Sequence, residues 1–222
     1  MSPKFKFLLS RYAGIALAKQ LALGDLLGQH SWAVDLTAGT VTFNPGGTFP
    51  LQILGTEATG DATWLWAWAN AASQLPSQLL QACRQLQQLG GERNIPELCD
   101  RSFPLTVADG HMLASIASGP NANCCYYRGP YDGGALYFLV SDLPDSVLAP
   151  AALPRVLTAI TQTLAQFDVD HLEMVQSFLT VQGFVLQQDN NTLRAQRQQD
   201  ELHLVLDEQQ RIQTINSTLC PV

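Results

Sequence analysis

The chain has few charged residues and no long apolar run, and both shortages limit what it can be. Only 14% of its 222 residues are charged, so its surface must rely on Gln, Asn, Ser and Thr. Its 19 acidic residues outnumber 12 scattered basic ones, which gives a net charge of −7. Nucleic acids and anionic membranes attract basic surfaces, so we predict neither as a partner. No stretch approaches the roughly 20 apolar residues that a membrane-spanning helix needs.

Catalytic and metal-binding motifs are also missing. The four histidines are spread one per element without an i, i+4 pair, so we predict no metal site and no cofactor. Neither G-x-S-x-G nor H-E-x-x-H occurs, and the sequence assigns no catalytic residue. An odd number of cysteines without a C-x-x-C pair favours reduced thiols in a cytoplasm, and these are Cys83, Cys99, Cys124, Cys125 and Cys220.

Hydrophobic periodicity divides the chain into groups of strands and helices. Alternation with period two predicts four strands between residues 32 and 69 and four more between residues 184 and 215. Short polar turns between consecutive strands indicate antiparallel meanders. Helical spacing predicts about five helices, over residues 5–27, 77–89, 109–117, 154–167 and 170–183. The predicted fold class is α+β, with two antiparallel β-meanders packed with about five helices.

The length of the chain suits a single α+β domain over residues 1–222 with its own core. The segment DLPDSVLAPAALP, residues 142–154, is predicted to be a connector because it holds three prolines. Two lobes within that domain therefore stay open, one over residues 1–145 and one over residues 151–222. In the second lobe, Asp170 and Glu173 have the spacing of a capping box, which predicts the start of a helix.

The segment DATWLWAWAN, residues 61–70, holds three of the four tryptophans at alternate positions. In a strand, Trp64, Trp66 and Trp68 share one face, and small residues take the other. Two interpretations stay open. The tryptophans form a core layer against the helices, or they line a groove for an apolar, sugar-like or peptide ligand. In the second case Asn70, at the end of the strand, is a polar group for the ligand.

A second candidate surface is the segment YYRGPYDGG, residues 126–134. Gly129-Pro130 and Gly133-Gly134 predict a loop that gathers polar and aromatic side chains, namely Tyr127, Arg128, Tyr131 and Asp132. An arginine can clamp a carboxylate or a phosphate with two hydrogen bonds. The alternative is an internal ion pair between Arg128 and Asp132 that fixes the turn.

Two stretches, LGTEATGDATWLWAWAN (54–70) and YYRGPYDGGALYFLV (126–140), resemble a bacterial family of unknown function, number 6882 in its series. Members of that family share a Trp-rich strand and a later turn of tyrosine and glycine. The resemblance extends over most of the chain. It implies a bacterial, intracellular, single-domain protein, and it supplies no activity, substrate or catalytic residue.

Three functional hypotheses follow. The leading one is a non-enzymatic cytoplasmic protein that binds a protein partner or a small ligand, in a role such as immunity or stress protection. The alternative is a small-molecule enzyme with a pocket walled by the three tryptophans. In that enzyme, Arg128 orients an anionic substrate, and Asp132 or His111 moves a proton. The third is a structural subunit, which would expose an apolar patch in a homo-oligomer.

Overall fold

A computed structural model describes residues 1–218. Its α-helices are α1 Pro3–Leu27, α2 Gln81–Arg93, α3 Pro96–Cys99, α4 Gly110–Ser118, α5 Asp145–Leu148, α6 Leu153–Gln166 and α7 His171–Val181. Its strands are β1 Ser31–Asp35, β2 Thr40–Asn44, β3 Gly47–Ala58, β4 Thr63–Trp66, β5 Ser102–Pro104, β6 Cys124–Tyr131, β7 Gly134–Ser141, β8 Val185–Asp189, β9 Thr192–Arg197, β10 Asp200–Leu206 and β11 Ile212–Thr218. Single-turn 3₁₀ helices cover Ala67–Ala69, Ala71–Ser73 and Ser77–Leu80. Cys220 lies outside the described residues.

The first sheet has seven strands, and every pairing in it is antiparallel. The strand β3 organises it, because its first part pairs with β2 and its second part lies between β7 and β4. The strands β6 and β5 extend the sheet beyond β7 and β4. The predicted meander of four strands is therefore the beginning of a larger sheet, which the hairpin of β6 and β7 completes.

The register of this sheet decides which side chains share a face. Residues directly opposite one another point to the same side, so Trp66, Gly55, Tyr137 and Arg128 form one row across β4, β3, β7 and β6. The neighbouring row points to the opposite side and consists of Leu65, Thr56, Leu136 and Gly129. We call the side of Tyr137 the α4 face, because α4 packs on it, and the other side the Trp32 face, because Trp32 of β1 lies against Gly129.

The second sheet contains β8 to β11 in the order β11-β10-β9-β8, all antiparallel. The helix before it begins as predicted, since the carboxylate of Asp170 accepts a hydrogen bond of 2.9 Å from the N–H of Glu173. The N–H of Ile212 in β11 donates to Nδ1 of His171 at 3.1 Å, which ties the sheet to the start of that helix. Two antiparallel sheets with helices confirm the predicted α+β class.

The long helix α1 connects the two parts of the chain. Pro3 occupies its first turn after the capping residue Ser2, and the helix ends at Gly28, whose φ of 54° suits glycine. It packs against α4 from the first half of the sequence and against α6 and α7 from the second half. Buried residues from both halves consequently form one contiguous hydrophobic cluster.

Lys19 of α1 is buried, with 7% of its surface exposed. Its ammonium group donates hydrogen bonds to the carbonyl oxygens of Ser118 at 3.0 Å, Asn121 at 2.6 Å and Cys124 at 3.2 Å. These carbonyls belong to the end of α4 and the loop that leads into β6. Burial lowers the pKa of Lys19, so the three carbonyl oxygens must compensate for the hydration that its charge loses.

The predicted end of the second helix is wrong. The helix α2 continues through Gly90-Gly91 to Arg93 and ends at Asn94, which adopts the left-handed conformation. Gly90 is required inside this helix because a Cβ there would lie 2.7 Å from the side chains of Leu98 and Cys99. The predicted connector 142–154 also contains α5. None of the seven α-helices within residues 1–218 is long and apolar enough to cross a bilayer.

Lys19→Met leaves the carbonyl oxygens of Ser118, Asn121 and Cys124 without the ammonium donor. Because a buried polar group without a partner costs roughly 1–3 kcal/mol, we expect this substitution to lower the free energy of unfolding by about 3 kcal/mol. Urea unfolding followed by circular dichroism measures the change. The control is Lys6→Met, which removes an exposed ion pair with Asp168 and should cost at most about 1 kcal/mol. Equal losses for the two variants would contradict the role of Lys19.

Candidate functional site

The tryptophan segment belongs mainly to the core. Trp64 and Trp66 lie on the α4 face of β4 with no exposed surface, so they line no open groove. Their rings contact edge to face, with centroids 5.3 Å apart, and Trp64 makes a similar contact with Tyr137 at 5.6 Å. Nε1 of Trp66 donates to the carbonyl oxygen of Glu97 at 3.1 Å. For these two residues the interpretation as a core layer describes the structure.

Trp68 does not share that face, which corrects the expectation that one strand carries all three tryptophans. The strand ends at Trp66, and Trp68 lies in the 3₁₀ turn Ala67–Ala69, partly buried against the core. Asn70 follows this turn, and its side-chain oxygen accepts a hydrogen bond from the N–H of Ser73 at 3.2 Å. Asn70 is therefore separated from the two core tryptophans.

The predicted loop around Arg128 is a β-hairpin instead. Arg128 and Tyr131 belong to β6, and only Asp132 and Gly133 form the turn into β7. Because side chains alternate along a strand, Tyr127 and Arg128 point to opposite faces of the sheet. Four residues predicted to converge are thus divided, and Arg128 is the one on the α4 face.

Tyr127 lies in an aromatic cluster on the Trp32 face. Its ring contacts Phe43, with centroids 4.9 Å apart, and Trp32 at 6.1 Å. Its hydroxyl shares a hydrogen bond of 2.8 Å with Nε2 of His30. Tyr131 and Asp132 are exposed near the tip of the hairpin. In this arrangement Tyr127 packs β6 against β1 and β2 of the same sheet.

Arg128 faces Glu57 and not Asp132, which corrects the predicted ion pair. Its Nε lies 4.0 Å from Oε2 of Glu57, and 42% of its side chain is exposed. Glu57 itself is 13% exposed and lies near the end of β3. The ion pair therefore joins β6 to the central strand of the sheet.

Glu57 also holds the start of α4 against the sheet. Its Oε1 accepts a hydrogen bond of 2.7 Å from the N–H of Gly110, and its Oε2 accepts one of 3.0 Å from the hydroxyl of Tyr137. A Cβ on Gly110 would lie 2.4 Å from the ring of Tyr137, so this close approach requires glycine. The negative charge of Glu57 is in addition favourable at the N-terminus of a helix.

His111 follows Gly110 and completes what we call the Glu57 cluster: Glu57, His111, Tyr126, Arg128 and Tyr137. The His111 ring meets Tyr137 edge to face at 5.4 Å, and its Nδ1 shares a hydrogen bond of 3.0 Å with the hydroxyl of Tyr126. Burial lowers the pKa of His111, Arg128 lowers it further, and the carboxylates of Asp109 and Glu57 oppose this. The imidazole is therefore neutral at physiological pH.

The two tyrosines of the cluster keep their protons. Burial raises the pKa of Tyr126 and of Tyr137, and the charge of Glu57 adds to the effect on Tyr137. The cluster thus combines one carboxylate, one guanidinium, a neutral imidazole and two phenol groups. This set can bind an anionic group through Arg128 and can accept a proton at His111.

The structure gives less support to a cysteine nucleophile or to a metal site. The four described cysteines are free thiols, and burial raises the pKa of Cys83 and Cys124 to about 11 and that of Cys125 to about 12. Such thiols stay protonated and are poor nucleophiles. Over residues 1–218, no three His, Cys, Asp or Glu side chains are grouped as a metal site would require.

The sequence prediction missed Glu57 and Tyr137. A tyrosine inside the continuous apolar run 136–140 was the available signal, since a buried hydroxyl needs a hydrogen-bond partner. The sequence could not identify Glu57 as that partner, because Glu57 and Tyr137 are 80 positions apart.

A comparison with protein families matches residues 6–143 to a family of unknown function (DUF6882). This range is 138 of 222 residues, and the chain belongs to that family. It includes both segments on which the resemblance was based, as well as the whole Glu57 cluster. Comparisons with curated proteins and with solved structures gave no match.

The titration of His111 tests the electrostatics of the Glu57 cluster. We expect NMR titration to give His111 a pKa below the ordinary value of 6.5. Arg128→Gln should raise this pKa and Glu57→Gln should lower it further, because each change removes one charge of known sign. The control Arg194→Gln, at an exposed position of β9, should leave it unchanged. Shifts of the opposite sign would refute the proximity of these groups.

The same shift predicts a dependence of stability on pH. Because the folded protein binds the His111 proton less readily than the unfolded chain, its stability should fall as pH drops below about 6.5. The loss stops at the lower pKa of the folded state. Urea unfolding at several pH values measures this, and His111→Gln should remove that part of the dependence.

Proposed function

Because membership of a family of unknown function assigns no activity, we propose from the geometry that this is a binding protein rather than an enzyme. In this proposal the Glu57 cluster receives a carboxylate group of the ligand. The supporting observation is that the Arg128 side chain is partly exposed and only weakly paired. Its side chain is 42% exposed, its contact with Glu57 is long at 4.0 Å, and it makes no other ion pair within residues 1–218.

A carboxylate fits these groups better than other anions. The two terminal nitrogens of a guanidinium group match the two oxygens of a carboxylate. Glu57 already accepts hydrogen bonds from Gly110 and Tyr137, so its charge is partly compensated and Arg128 retains capacity for a second anion. The net charge of −7 disfavours polyanions such as nucleic acids, and this favours a ligand with a single carboxylate.

The ligand in this proposal is a small molecule or a group on a protein partner, bound in the cytoplasm of a bacterium. The acidic surface, rich in uncharged polar residues, and the free thiols support a cytoplasmic location. A role in immunity or stress protection is compatible with such a binding protein.

A second candidate function is an enzyme in which His111 accepts a proton from a substrate that Arg128 orients. One observation favours it: the neutral His111 and Arg128 both lie next to Tyr137, so a base and an anion-binding group share one site. Asp132 takes no part, because it lies in the turn of the hairpin.

The test begins with native mass spectrometry of the protein purified from its own lysate, to detect a bound carboxylate. Benzoate and acetate are then titrated by calorimetry, with benzamide and acetamide as uncharged controls. We expect Arg128→Gln to weaken carboxylate binding about tenfold to a hundredfold, because a hydrogen bond to a charged group contributes roughly 1.5–3 kcal/mol.

Arg194→Gln, which removes an exposed arginine far along the sequence in β9, is the matched control and should change binding less than twofold, about 0.4 kcal/mol. Equal effects of the two substitutions, or equal binding of acids and amides, would refute the carboxylate site. Conversion of the recovered ligand by the wild type, with binding but no conversion by His111→Gln, would replace the first proposal with the enzyme.

A further inference from the structure

A small apolar pocket lies on the Trp32 face of the first sheet, opposite to the Glu57 cluster. Its volume is about 180 Å³. Ile53, Thr56, Leu65 and Leu136 line it from β3, β4 and β7, and Ala67 and Asn70 line it from the segment after β4. The tryptophans of that segment take no part in it, since Trp64 and Trp66 point to the α4 face.

The wall opposite the sheet owes its shape to consecutive 3₁₀ turns. Ala67 belongs to the first of these turns and Ser73 to the second, and Asn70 lies between the two turns with φ −84° and ψ 76°. All three residues line the pocket. Because all three are short, they leave the space that larger side chains would fill.

The side of the pocket that the sheet forms lies beside a bulge in β3. The register with β7 shifts between Ile53 and Gly55, so that Leu54 is an extra residue in β3. A bulge bends a strand and increases its twist, and bulges are frequent beside binding sites. Ile53 and Thr56, on either side of this bulge, both line the pocket.

The polar groups of the pocket include free hydrogen-bond donors. The side-chain oxygen of Asn70 is occupied by the N–H of Ser73, and its amide nitrogen has no acceptor among residues 1–218. None of the residues that line the pocket carries a charge. The pocket thus offers hydrocarbon walls and an amide donor from Asn70 near the exposed Ser73.

We infer that this pocket binds a small neutral molecule with one ring and one hydrogen-bond acceptor. An apolar cavity of about 150 Å³ is known to hold benzene, so a volume of this size suits one substituted ring. The ring contacts the leucine side chains, and its acceptor takes a hydrogen bond from the amide of Asn70. This site is independent of the carboxylate site, because the two lie on opposite faces of the sheet.

The test uses the full chain and two matched probes, acetophenone, which carries a carbonyl acceptor, and ethylbenzene, which does not. Binding is measured by NMR titration of backbone amides, and tryptophan fluorescence gives a second signal from the adjoining segment. We expect saturable shifts at Thr56, Leu65 and Leu136, with acetophenone binding about tenfold more tightly, as one added hydrogen bond allows.

Two substitutions separate the ring from the acceptor. Asn70→Asp keeps the oxygen that caps the turn and removes the amide donor, so it should weaken acetophenone about tenfold and ethylbenzene less than twofold. Ala67→Leu fills the pocket and should abolish binding of both probes. Asn216→Asp, at an exposed position of β11, adds the same charge elsewhere and should change neither affinity.

Circular dichroism first tests whether each variant is folded. If Ala67→Leu does not fold, the result for Asn70→Asp decides the outcome. The inference is overturned if neither probe shows saturable shifts up to about 10 mM, or if the shifts map to residues outside the pocket. It is also overturned if Asn70→Asp weakens both probes equally. Loss of carboxylate binding at Arg128 would leave this result unaffected.

Discussion

The carboxylate of Glu57 is the interaction on which the arrangement of the site depends. It connects β3, which pairs with β2, β4 and β7, to the first N–H of α4 and to the hydroxyl of Tyr137. A carboxylate with 13% exposure is tolerated only when hydrogen bonds replace its lost hydration. Gly110 makes the contact possible, since a Cβ there would collide with Tyr137. The position of His111 and the freedom of Arg128 both follow from this junction.

The pleat of one sheet divides the chemistry of the protein in two. Alternate rows of the same four strands place Tyr137 and Arg128 on the α4 face, and Leu65 and Leu136 on the Trp32 face. One face therefore carries the ion pair of Arg128 with Glu57 and the imidazole of His111, and the other carries a neutral apolar pocket. The strands β3 and β7 contribute to both surfaces, while α4 adds His111 to one and the 3₁₀ segment adds Ala67 and Asn70 to the other.

Local signals predicted the elements well. The spacing of Asp170 and Glu173 identified a helix start that the hydrogen bond between them confirms, and alternation predicted the C-terminal meander. Errors arose where a local pattern does not match the observed conformation. Gly90 lies inside α2, where the close approach of Leu98 and Cys99 requires a glycine, and the chain leaves the strand at Ala67 although the tryptophan alternation continues to Trp68.

The sequence by itself determined the α+β class, the family and the residues able to carry chemistry, because these depend on composition and on near neighbours in the chain. Only the tertiary structure decided which of those residues meet. Arg128 pairs with Glu57 instead of Asp132, and Asn70 lines an apolar pocket on the face opposite to Trp64 and Trp66. The physical reason is register: a shift of one residue in the pairing of β3 reverses the face of every side chain, and no local pattern encodes that shift.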